Sequence, residues 1–114
     1  MQVPLQITFR QMAPSPTVEE HIRKRADALE RYFDRITACR VVVEASTRRQ
    51  RKGKLYHVRV DLTVPGREIV VKRDPAEHHA HEDILVAVRD AFDAARRQLE
   101  DHARAARGGA APRP

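Results

Sequence analysis

Aromatic side chains are scarce: two tyrosines, three phenylalanines and no tryptophan among 114 residues. Proteins that read single-stranded nucleic acid stack bases on exposed aromatic rings. Here Phe9, Tyr32, Phe33, Tyr56 and Phe92 fall mostly at core-facing positions, so no such platform is expected. The one cysteine, Cys39, excludes an internal disulfide, a Cys-based zinc site and the cysteine pair of a zinc deaminase. Four glycines form no phosphate-cradling loop, and Ser15, Ser46 and Cys39 lack the local signature of an activated nucleophile. Nothing in the chain argues for catalysis, a cofactor or a small-molecule substrate. No apolar run reaches the roughly 18 residues of a membrane helix. The opening Met1-Gln2-Val3-Pro4-Leu5-Gln6 has neither the basic start nor the apolar stretch of a secretory signal, so a cytoplasmic location is expected.

Apolar residues and positive charge are present in quantity. A hydrophobic share of 41% is enough to fill one core, and the length suits one domain. Lysine and arginine number 22 against 16 acidic residues, a formal net charge of +6. That balance favours polyanions, either nucleic acid or an anionic membrane surface.

Hydrophobic periodicity gives the order of elements. Val3, Leu5, Ile7 and Phe9 alternate with polar residues, the period-two pattern of a half-buried strand. Pro4 lacks a backbone donor and puts that end at a sheet margin. After the loop Met12–Thr17, Thr17 with Glu20 three residues on predicts a capping box. Val18, Ile22, Ala26, Leu29, Phe33 and Ile36 then recur at threes and fours, the stripe of an amphipathic helix. Strand character returns from Cys39 to Ala45, followed by a polar, basic connection from Ser46 to Lys54. Leu55 to Val64 alternates most clearly, with Tyr56, Val58, Val60, Leu62 and Val64 on one face and His57, Arg59, Asp61 and Thr63 on the other. Pro65-Gly66 signals a turn into a strand over Glu68–Lys72. A second helix is expected from about Glu82 to about Ala103, with Leu85, Val88, Phe92, Ala95 and Leu99 as its stripe.

The predicted fold is therefore α+β, a two-layer β-α-β-β-β-α sandwich with both helices on one face of a four-stranded sheet. A right-handed crossover makes the first two strands parallel, and hairpins add the others. The other sheet face, with Arg59, Asp61 and Thr63, is left to water. The domain covers residues 1–103, and the remaining 104–114 has nothing to bury and is expected to be disordered.

Four clusters are candidates for binding. The loop Arg48, Arg49, Arg51, Lys52 and Lys54 holds the densest positive charge and suits phosphates, with a solvated hairpin tip as the alternative. On the first helix Lys24, Arg31 and Arg35 fall along one flank of the stripe and Glu19, Glu30 and Asp34 along the other. His21 and Arg25 lie between the basic flank and the core, where an arginine stem packs and its head reaches water. On the second helix Arg89, Arg96, Arg97 and Arg104 share a side, but Asp93 and Glu100 are interleaved at pairing distance. The fourth cluster, His78, His79 and His81 beside Glu82 and Asp83, invites zinc or nickel. Its ligands are consecutive and lack the i,i+4 spacing that aims two at one ion, so a histidine-rich surface turn is the expected reading and no metal is assigned.

Several segments, taken in order, resemble one family. Leu29-Glu30-Arg31-Tyr32-Phe33-Asp34-Arg35-Ile36 is similar to the end of the first helix in the ribosome hibernation-promoting factors, which include the ribosome-associated translation inhibitors. Leu5-Gln6-Ile7-Thr8 resembles the family's opening strand and Val64-Pro65-Gly66 its third-strand turn. Glu82-Asp83-Ile84-Leu85-Val86-Ala87-Val88 and Arg97-Gln98-Leu99 resemble its last helix. The resemblance spans about residues 3–103. It implies the same sandwich, similar to double-stranded RNA-binding domains, and no catalysis. It further implies binding to the small ribosomal subunit where messenger and transfer RNA would lie, through basic helix side chains on ribosomal RNA phosphates, in stressed or stationary cells. Arg25 and Arg97 match positions where members carry Lys or Arg. Ala28, Ala94 and Asp101 stand where many have Lys or Arg, Leu85 replaces a common tyrosine, and the basic loop and the histidine turn lie outside the general pattern. The chain resembles a short form, without the second domain through which long members pair two ribosomes. A general binder of double-stranded or structured RNA is the alternative reading.

Overall fold

A computed structural model describes residues 4–47, 54–73 and 83–105. The elements are β1 (Leu5–Arg10), α1 (Pro16–Tyr32), β2 (Ala38–Thr47), β3 (Lys54–Val64), β4 (Arg67–Arg73) and α2 (Ile84–Arg104). They form one four-stranded sheet in the order β1-β2-β3-β4, with β1 parallel to β2 and the other pairs antiparallel. The predicted sandwich and its crossover are both present.

Register accounts for the clean alternation of the strands. Ile7, Val41, Val60 and Val71 sit opposite one another across the sheet, as do Leu5, Cys39, Leu62 and Ile69. A one-residue slip would turn every one of these side chains to the wrong face. Both helices cover this face: Val18, Ile22, Ala26 and Leu29 of α1 join Ala87, Val88, Ala91, Phe92, Ala95 and Leu99 of α2 in one buried cluster. The free thiol of Cys39 is inside it, and burial, helped by the charge of Asp61, pushes its pKa up to about 12. The thiol stays protonated and therefore poorly nucleophilic.

The helix boundaries correct two expectations. The N-cap of α1 is Ser15, whose hydroxyl accepts from the Val18 amide at 3.3 Å, and no Thr17–Glu20 box forms. Pro16 is the reason: it needs no amide partner and its φ already suits the first helical position, so the helix opens before Thr17. At the other end α1 stops at Tyr32, with Phe33 in an extended conformation and its amide donating to the Leu29 carbonyl at 2.8 Å. Ile36 is buried as its spacing implied, but from the connecting loop. Arg35 therefore leaves the helix flank to which sequence spacing assigned it. α2 is capped by Asp83, which accepts from the Leu85 amide at 2.9 Å. The β3–β4 turn is Pro65-Gly66, and Gly66 takes the left-handed φ of +78° that this two-residue connection requires.

The open sheet face departs from expectation at Asp61, which is only 6% exposed. Arg59, two residues away on the same face of β3, grips it with two hydrogen bonds of 2.8 and 3.2 Å, and Arg40 approaches to 3.9 Å from β2. The two guanidiniums cover the carboxylate, and the hydrogen bond to Asp61 raises the pKa of Arg59. Water thus reaches the arginines and not the acid.

Candidate nucleic-acid interface

The helices run side by side in the same direction. Arg25 near the middle of α1 meets Asp93 near the middle of α2 at 3.8 Å, and Tyr32 at the end of α1 meets Arg96. His21, Arg25 and Tyr32, with spacings of four and seven, share the α1 flank turned toward α2. The apolar stripes of both helices face the sheet, which leaves the two-helix layer as a ridged, charged outer surface.

Most cations on this surface already have acidic neighbours. Arg23 approaches Glu19 to 3.2 Å, Lys24 approaches Glu20 to 4.0 Å, Arg96 approaches Glu100 to 3.2 Å and Arg104 approaches Asp101 to 3.3 Å. Arg89 pairs with its neighbour Asp90 at 3.2 Å, because Asp93 is turned to Arg25. Exposed pairs of this kind contribute about 0–1 kcal/mol and exchange partners readily. The charge-sorted flanks expected on α1 are thus partly mixed, with Glu20 beside Lys24 and Arg23 beside Glu19. Arg31, Arg35 and Arg97 are exposed and have no ionic partner among the described residues. They are the cations most free to meet an external anion.

Other candidate residues fall elsewhere. Lys54 begins β3. Arg48, Arg49, Arg51 and Lys52 lie outside the described residues, as do His78, His79, His81 and the expected tail beyond Ala105. Among the described residues no group of three or more His, Cys, Asp or Glu is placed to hold a metal. Ala94, where a basic residue was expected by resemblance, is 6% exposed. It is a core position here, so its small size reflects helix packing and leaves no gap in the charged surface.

Two features of the interface were missed in the sequence. Apolar spacing puts Tyr32 among the core-facing aromatics, yet it is 73% exposed. It lies off the centre of the α1 stripe, which Leu29 and Phe33 occupy, and that offset was the available signal. The guanidinium of Arg96 sits 5.9 Å from its ring centroid, within cation–π range. Beside them a cleft of about 450 Å³ opens between the C-terminal ends of both helices and the β3–β4 turn, lined by Phe33, Ile36, Val64, Leu99 and His102 among others.

The second is His21. Its Nε2 is buried without a hydrogen-bond partner among the described residues. Burial lowers its pKa below the usual 6.5, and the positive charges of Arg25 and Lys24 act in the same direction. The folded state therefore binds this proton less readily than the unfolded chain. Stability from this site is intact above the unfolded pKa and falls as pH drops through 6.5 toward the lowered folded value. Thermal melts from about pH 7 to about pH 5 should show a shallower decline for His21→Gln than for the wild type; parallel declines would remove His21 as the cause.

The fold and this two-helix surface define a small, basic two-layer α+β protein. The sequence model for the Sigma 54 modulation protein / S30EA ribosomal protein family matches residues 5–107, and the chain belongs to that family. Its function is accordingly that of a ribosome hibernation protein, a non-catalytic role. A ribosomal subunit interface protein from Coxiella burnetii has a similar structure, with a TM-score of 0.70 at 16% identity, covering 88% of this chain and 97% of that one. The N-terminal domain of Thermus thermophilus Protein Y is also similar, with a TM-score of 0.63 at 18% identity, covering 90% and 99%. No curated protein matched the sequence. No helix among the described residues is long and apolar enough to cross a membrane.

Proposed function

We propose that this protein binds the small ribosomal subunit through its two-helix face, in the channel used by messenger and transfer RNA, and silences translation in the cytoplasm of stressed or stationary cells. The work is competitive occupancy. A folded cationic wedge lodges against ribosomal RNA phosphates and excludes ligands that need the same space. The observation that carries this reading is the placement of Arg31 and Arg97 on the outer helix surface, with Arg35 at its end, unpaired among the described residues in a chain of net charge +6. Lys24, Arg25, Arg89 and Arg96 would add contacts by exchanging carboxylate for phosphate, and the basic residues between β2 and β3 would add more.

Co-sedimentation with purified small subunits, set beside gel shifts on a free RNA duplex, tests it. Subunit binding tighter than duplex binding, weakening steeply with added salt, is the expected result. Equal affinity for both would make the protein a general binder of structured RNA, and no subunit binding in low-salt buffer would defeat the reading. The same gradients show if occupied particles travel singly or as paired ribosomes.

A further inference from the structure

The cleft at the helix ends has a composition that the phosphate-binding reading leaves unused. Among the described residues Tyr32 is the most exposed large apolar side chain, at 73%, whereas Val70 and Leu85 reach only 39% and 36%. Its ring stands at the mouth of an apolar cavity floored by Phe33, Ile36, Val64 and Leu99. Arg96 lies against the ring at 5.9 Å, Phe33 flanks it with centroids 6.0 Å apart, and Arg35 and His102 stand on the cleft wall. An exposed ring, a guanidinium plane and nearby cations are what an unstacked base and its attached phosphates require.

Electrostatics decide which part of a nucleotide enters. α1 ends at Tyr32 and α2 at Arg104, so two helix C-termini, each with partial negative charge, converge on the cleft. The Phe33 amide takes the Leu29 carbonyl, and the Ala105 amide takes those of Asp101 and His102. The partial negative charge of the helix ends, with the Asp34 carboxylate on the lining, repels a phosphate from the pocket and favours the exocyclic amines that bases carry. The phosphates belong outside, within reach of Arg35 and Arg96. An apolar protein segment would fill the cavity equally well but would have no use for the cations around it.

We propose that the Tyr32 cleft receives one unpaired base of the bound RNA, stacked on the tyrosine ring while Arg35 and Arg96 hold its flanking phosphates. The inference rests on the RNA-binding reading above and adds a base-dependent contact to a phosphate-dependent one. It also supplies, at the end of the helices, the stacking element that the sheet lacks.

A short oligoadenylate and an abasic strand of the same length and phosphate content separate the two contributions. Wild-type protein should bind the base-bearing strand about tenfold more tightly, the lower range for one base stacked on an aromatic ring. Tyr32→Ala should erase that preference and leave abasic binding unchanged, while Tyr32→Phe keeps it. Equal affinity of the wild type for both strands, or a preference that survives Tyr32→Ala, overturns the proposal and leaves the cleft to an apolar protein segment. If the wild type sediments with small subunits while the strand preference is absent, only the cleft assignment fails. If it does not sediment with them, the parent reading fails whatever the strands show.

Discussion

Replacing Arg31, Arg35 and Arg97 together by glutamate is expected to abolish association with the small subunit while leaving the fold intact. Each of the three is exposed and without an ionic partner among the described residues, so the substitutions break no internal pair. Together they bring the formal net charge from +6 to zero. Every phosphate that goes unneutralised takes about 0.7–0.9 from the slope of log affinity against log salt. The triple variant should therefore show a slope shallower by roughly two and an affinity weaker by at least about a hundredfold at moderate salt. Reversal of Arg25 makes a poorer test: it is half-buried against Asp93, and a glutamate there would set two carboxylates against each other and weaken the helix packing. Salt-dependent binding of the triple variant, with circular dichroism to confirm the fold, is the measurement. Undiminished binding would move the RNA-facing surface away from these helices.

The architecture was legible because period-two and period-three-to-four patterns alternate along the chain without overlap. Val58, Val60, Leu62 and Val64 are buried on a strictly alternating strand, and their partners on β2 and β4 repeat the pattern in register. What escaped reading was set by packing between elements. Asp61 looked like any outward residue of an alternating strand, and only two arginines arriving from β3 and β2 bury it. The i,i+4 spacing did reveal that Arg96 could pair with Glu100. It could not show that Asp93 would instead reach across to Arg25, because that choice depends on how the helices pack. Tyr32 escapes the pattern because it lies beside the apolar stripe, and Arg35 because the helix stops short of it. The apolar spacing runs on through Phe33 to Ile36, but the helix ends at Tyr32 and the chain turns at Asp34 and Arg35. The same early ending creates the cleft, so the least legible stretch is also the one that shapes a pocket.

Phe92→Ala should be the most destabilising truncation on α2. The buried face of that helix is built mainly from alanine, at positions 87, 91, 94 and 95. Alanines let the helix approach the sheet closely, but each contributes little apolar area. Val88, Phe92 and Leu99 must supply most of the burial, and Phe92 is the largest of them at 3% exposed. Removing its ring leaves a cavity that a rigid β3–β4 surface cannot collapse to fill, destabilising the domain by about 3–5 kcal/mol. A domain of this size has roughly 5–15 kcal/mol in total, and the single buried thiol offers no disulfide to compensate. The Tm should fall by roughly 10 °C or more. Val70→Ala on the open face, where Val70 is 39% exposed, should change stability by no more than about 0.5 kcal/mol. Subunit binding by Phe92→Ala in the cold, where the folded form still dominates, should be close to that of the wild type, since the side chain lies beneath the helix and its cations lie above it. An unchanged Tm would mean that α2 is not held by its large side chains. Weakened binding by a fully folded variant would mean that the core sets the position of the arginines as well as the stability of the domain.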